Sequence, residues 1–208
     1  MELGQWQIVK TAVETEQIDD ISEYTIHVTA APYLNGCSTL YGQNTGNLQD
    51  AYAATYFMTY AEFVFSANGE IIYFNMDSPL DVIGVHNENV ATLPITELLE
   101  KCKQQLSFSD ADAYGLPSDI QDEIEAATGE KLLCQVSISN FEYGLGRVKV
   151  PDSDDNYYYI PVMALRGIAE YTTEQTGAIY YSNSPIQSDD LYPILVCVNA
   201  VDGSIIQQ

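Results

Sequence analysis

The chain has 208 residues, 30 acidic against 7 basic, for a net charge of −23. Such a surface repels phosphate, so nucleic acid and anionic membrane are excluded as partners unless a multivalent cation bridges them. No run of 18 or more apolar residues occurs, so no helical membrane span is written here, and the opening Met-Glu-Leu-Gly-Gln-Trp lacks the charged and apolar regions of a signal peptide.

Sixteen tyrosines and few helix formers point to a sheet-rich chain. Residues 1–22 mix polar and apolar positions and read as a lead-in segment. From Tyr24 the pattern alternates: Tyr24, Ile26, Val28 and Ala30 share one face, and Thr25, His27 and Thr29 the other, which predicts a half-buried strand with an exposed histidine. The long aromatic run 52–65 and its answer Glu70 to Met76 flank Asn68-Gly69, a hairpin signal. Bulky apolar residues on both faces of these strands predict that they are central and covered. Asp77-Ser-Pro79 ends the second, and residues 23–92 form an N-terminal β-rich subdomain.

Residues 93–208 read as a C-terminal α+β subdomain. Pro94 opens a helix with Ile95, Leu98, Leu99, Cys102 and Leu106 at helical spacing. Ser118 and Gln121 have capping-box spacing for a second helix, with Ile120 and Ile124 inward and Gly129 as its stop. Period two returns from Lys131, with a change of parity that predicts a bulge near Asn140. A strand over 157–171 contains Pro161, which predicts an edge position or a bulge. Tyr192 to Val198, Asp202-Gly203 and Ile205-Ile206 write a closing hairpin.

The order of elements predicts an α+β fold: antiparallel sheets with a pair of helices packed on them. The segments 63–73 and 196–206 share a strand, a glycine turn and a double-Ile return; if this duplication is real, it implies two related subdomains.

Motifs of chemistry are few. Asp152, Asp154 and Asn156 match the first ligand positions of a calcium loop, but Tyr157 and Met163 stand where its Gly and Glu belong, so a solvated turn is expected. The four cysteines form no CxxC pair; Cys102, Cys134 and Cys197 read as small buried hydrophobes and Cys37 as accessible. His27 and His86 have no clustered ligand or nucleophile, and Gly144-Leu-Gly146 is a weak phosphate-loop match inside a strand. The sequence therefore assigns no catalytic, cofactor-binding or metal residue, and no cofactor. Tyr157-Tyr-Tyr159 and Tyr180-Tyr181 suggest that some rings are available to a ligand.

The segments Gly69-Glu-Ile-Ile-Tyr-Phe to Ser78-Pro-Leu-Asp-Val, Leu93-Pro-Ile-Thr-Glu-Leu-Leu-Glu, Tyr159-Ile-Pro-Val and Val198-Asn-Ala-Val-Asp-Gly-Ser-Ile-Ile together resemble cell-envelope lipoproteins of Gram-positive Firmicutes. More distantly they are similar to the extracytoplasmic regulators YycH and YycI. Met163-Ala164 departs from the aromatic expected after Ile160-Pro161-Val162. The resemblance implies an extracellular, surface-anchored protein, attached to the membrane only by a lipidated cysteine outside this sequence, and no enzymatic activity. Its expected function is a non-catalytic binding or regulatory module whose partner is another envelope protein or a surface ligand. The alternative is a hydrolase of glycans or peptides using paired carboxylates.

Overall fold

The computed structural model describes residues 5–18, 21–40, 59–77, 81–108, 116–150, 153, 156–183 and 192–207. The chain divides into two units, residues 1–41 with 58–88 and residues 42–57 with 89–208.

In the first unit, β1 (Gln5–Ile18) and β2 (Ile21–Leu34) form a long antiparallel hairpin. β2 then pairs with the short β3 (Cys37–Ser38) and with β4 (Tyr60–Ser66), and β4 turns into β5 (Ile71–Asp77). The order is β1-β2-β4-β5, with β3 beside β2. The turn between β4 and β5 closes as the pattern predicts: Gly69, at φ 81°, donates its N–H to the Ser66 carbonyl at 2.9 Å, and Ser66 donates to the Glu70 carbonyl at 2.8 Å.

Two expectations for this half are corrected. Gln5–Ile18 is a sheet strand and not a lead-in; the bulge between Ile8 and Lys10 shifts the parity of the strand, so its apolar residues do not alternate on paper. The strands expected to be central and covered are not both so, because β5 lies at the sheet edge and Ile71, Ile72, Tyr73 and Phe74 are all exposed. The part of the aromatic run before Thr59 lies outside the described residues.

The second unit begins with α1 (Ile95–Phe108) and α2 (Ser118–Thr128). β6 (Leu132–Lys149) and β7 (Tyr157–Thr173) form its long hairpin, followed by β8 (Ile179–Ser182), β9 (Ile194–Asn199) and β10 (Ile205–Gln207). The order is β6-β7-β9-β10 with β8 beside β7, the same connectivity as the first sheet. α1 covers one face of it. Leu98 and Cys102 pack on Met163, Leu165, Val196, Val198 and Ala200, all at most 5% exposed. Full burial of each large side chain in such a cluster is worth about 1.5–3 kcal/mol. A second cluster joins Leu116, Leu132, Ala169, Tyr171 and Leu195.

The architecture is mostly β, ten strands and two short helices among the described residues, which corrects the α+β reading. A packed pair of helices is the part that fails. α2 buries no residue completely: Ile124 packs inward against the second cluster as expected, but Ile120 is exposed, because the apolar stripe is narrow. The capping box does not form either; Pro117 holds the cap position without a side-chain hydrogen bond. Gly129 does stop the helix, at φ 72°, donating its N–H to the Glu125 carbonyl at 2.8 Å.

The parity change on β6 is a register shift between Ile138 and Asn140. Pro161 sits in the central strand β7, contrary to an edge position. Its carbonyl, and hence the nitrogen that lacks a proton, points to the β9 side, where the chain has already turned and the Ala200 N–H meets that carbonyl at 2.9 Å. The closing hairpin forms around Gly203 at φ 74°, with the Asn199 N–H donated to the Ser204 carbonyl at 2.8 Å.

Candidate binding surface

The pairing registers of the first sheet decide which side chains share a face. Val13 lies opposite Ile26, and Ile26 opposite Phe65; Thr11 lies opposite Val28, and Val28 opposite Phe63; Phe63 lies opposite Phe74, and Ala61 opposite Met76. Ring contacts agree, with Phe63 centred 5.0 Å from Phe74 and 6.3 Å from Phe65. Before the β1 bulge, Ile8 and Trp6 join the same face through Ala30 and Pro32. Apolar residues thus run across all four long strands. None of the described residues forms a helix in this unit.

Exposure of this face is the unusual quantity. Phe74 is 52% exposed, Ile8 62% and Val13 61%, with Trp6, Tyr24, Ile26 and Met76 also exposed. Three aromatic side chains of about 150–250 Å², each roughly half exposed, leave on the order of 300 Å² open, and the four aliphatic ones add a comparable area. The sum is at the upper end of the roughly 300–600 Å² of the largest patch on an ordinary monomer, a range in which patches often mark interaction sites. The opposite face is mixed: Glu14, Thr25, His27, Glu62 and Asn75 lie there with the exposed Tyr73, and Thr29, Ala31 and Val64 are buried among them.

His27 sits on that opposite face, with Nε2 3.3 Å from Glu14 Oε2 and 3.2 Å from Thr25 Oγ1. His86 lies in the exposed connector after β5, so the structure does not bring the histidines to one described cluster. Of the calcium-like turn, Asp152 and Asp154 lie outside the described residues. Asn156 donates its N–H to Ser153 Oγ at 3.1 Å, and the Val150 N–H reaches the Asn156 carbonyl at 3.0 Å. These bonds close the turn between β6 and β7.

The cysteines divide two and two, and all are free. Cys37 is exposed as expected, and Cys102 and Cys197 are buried; burial pushes their thiols up to about 11 and about 12. Cys134, expected in the core, is exposed because β6 is the edge strand of its sheet. Gly146 belongs to packing. A Cβ on Gly146 would come within 2.9 Å of Val162 Cγ1, so the G-x-G spacing admits β7 and not a phosphate. Tyr157 carries the Arg147 guanidinium 4.6 Å above its ring, Tyr158 is exposed, and Tyr180 is exposed while Tyr181 packs edge-on against Tyr171.

One interaction had no motif. Arg166, in the apolar run of β7, is 1% exposed; it donates to Glu142 Oε2 and to the Tyr192 carbonyl, each at 2.9 Å. A buried guanidinium demands partners, and a charge inside an apolar run is the signal that could have found it. The pair links β6, β7 and the entry to β9, so Glu142 is engaged in architecture. Compared with protein-family models, curated proteins and solved structures, the chain matches none.

Proposed function

We propose that this chain is a non-catalytic binding or regulatory module of an extracellular, surface-anchored lipoprotein, and that it recognises another envelope protein through the apolar face of its first sheet. The observation that carries the reading is the uncovered side chains of Trp6, Ile8, Val13, Ile26, Phe74 and Met76 on one face. Leaving so much apolar surface in water costs free energy at about 25 cal/mol per Å², a cost that a partner removes by covering it. The sequence resemblance to envelope lipoproteins supplies the extracytoplasmic setting.

A photoreactive phenylalanine analogue at position 74, introduced in the native host, tests the reading. A discrete envelope protein should be captured from that position, and the tagged chain should fractionate with the cell surface. Capture of surface polysaccharide alone, or of nothing, would refute it.

A further inference from the structure

The two sheets offer a comparison within one chain. In the second unit, Met163 lies opposite Val198 and Leu165 opposite Val196; in the first, Ile26 lies opposite Phe65 and Val28 opposite Phe63. The positions correspond in the hairpins as well. Val198 immediately precedes Asn199, whose N–H closes one turn, and Phe65 immediately precedes Ser66, whose N–H closes the other. The second quartet is at most 5% exposed because Leu98 and Cys102 of α1 lie on it. The first quartet holds larger side chains, none is buried, and no described helix covers it.

We propose that the apolar face of the first sheet is the seat for an amphipathic helix of a separate, basic polypeptide, which lies over β2 and β4 as α1 lies over β7 and β9. This rests on the reading of the chain as a binding module and names the partner's chemistry. The shape argument is the pairing just described: the same connectivity presents the same face, and in the second unit a helix with apolar residues four apart fills it. Size agrees, since a helix of α1's 14 residues is about 21 Å long and the 7-residue β4 it would lie along is about 23 Å. Charge selects the source. A second copy would bring another −23 to the interface, whereas a helix whose polar side is lysine or arginine is attracted by it.

Trp6, the chain's one tryptophan, lies on this face and reports on its occupation. The probe is a synthetic 18-residue peptide with leucine at helical spacing and lysine elsewhere. Two controls share its leucine content: one with leucine at every second position, which is extended and pairs with the β5 edge, and one with glutamate in place of lysine. The helical lysine peptide should bind the full chain, shift Trp6 emission to the blue, and bind at least about tenfold more tightly than either control. Phe74→Lys should weaken it about tenfold or more, and Met76→Lys, on the same face, provides a second variant should the first fail to fold. Tyr73→Lys, equally exposed but on the opposite face, should leave affinity unchanged.

Equal or tighter binding of the alternating peptide overturns the helical partner in favour of strand addition. Indifference to Phe74→Lys overturns the site, and a dimer of the chain alone with Trp6 already shielded overturns the separate partner. If no peptide binds while position 74 still captures an envelope protein in cells, the helix is refuted and the binding module stands; if both experiments fail, both readings fall.

Discussion

Replacing Gly167 with alanine is the most demanding single-residue test of the second sheet. A Cβ there would lie 2.0 Å from the Ser137 carbonyl oxygen, 2.9 Å from its carbon and 3.0 Å from Ile138 Cα. Every obstructing atom is backbone, so no side chain can rotate away. Relief requires β6 and β7 to separate by about 1 Å beside the Ile138 bulge, breaking or stretching about two ladder hydrogen bonds at about 1 kcal/mol each. It also loosens Ala169 and Tyr171, which follow in the same strand and belong to the core. Adding a repacking cost of about 1–3 kcal/mol gives a loss of about 3–5 kcal/mol. At roughly 2–4 °C per kcal/mol, the melting temperature should fall by about 6–20 °C. Denaturant and thermal unfolding followed by circular dichroism measure the two quantities, with Gly177→Ala as reference: that glycine, at φ 66° in open space, should cost only the left-handed strain of about 1–2 kcal/mol. A Gly167→Ala protein as stable as Gly177→Ala would show that the two strands do not approach as described.

At Gly203, valine should destabilise by about 2 kcal/mol or more in the same assay, since φ is 74° and a Cβ would lie 3.2 Å from Lys101 Cγ and 3.3 Å from Leu93 Cδ1. A thiol reagent at mildly alkaline pH should modify Cys37 rapidly, Cys134 more slowly because partial burial raises its pKa although its side chain is accessible, and Cys102 and Cys197 only after unfolding; fast loss of all four thiols would contradict the packing under α1. The carboxylate of Glu125 accepts the Leu132 N–H at 2.9 Å and the Gln121 amide at 3.2 Å. The Leu132 bond, ahead of the Gln121 bond, holds its pKa below the ordinary 4.5. Its folded pKa is depressed, so the stability it contributes is present above that value and lost as pH falls through the folded one. Glu125→Gln should therefore flatten the acid limb of melting temperature against pH, and an unchanged limb would assign that limb to other carboxylates.

Local rules were legible wherever one residue decides the outcome. Gly69, Gly129 and Gly203 all take positive φ, where the sequence placed two turns and a helix stop. Leu98, Cys102, Val196 and Val198 reached the core because their spacing and polarity agree with α1 and β9. Misreadings came where a bulge shifted the parity, as in β1, and where burial depends on a neighbour, as for Cys134 at an edge and Arg166 beside Glu142. Pro161 was misplaced for the same reason, because the end of the β9 ladder is not written near it.

For this protein, sequence by itself determined a strongly acidic chain, the hairpin turns and the faces on which side chains gather. Period two places Ile26 with Val28, and Phe63 with Phe65, whatever lies above them. Only the tertiary structure decided that α1 covers the second sheet while Ile26, Phe74 and Met76 on the matching face of the first stay exposed. Periodicity along one strand is a local property of the backbone. What stands opposite a face depends on contacts between segments distant in the chain, and no residue of the face encodes its cover.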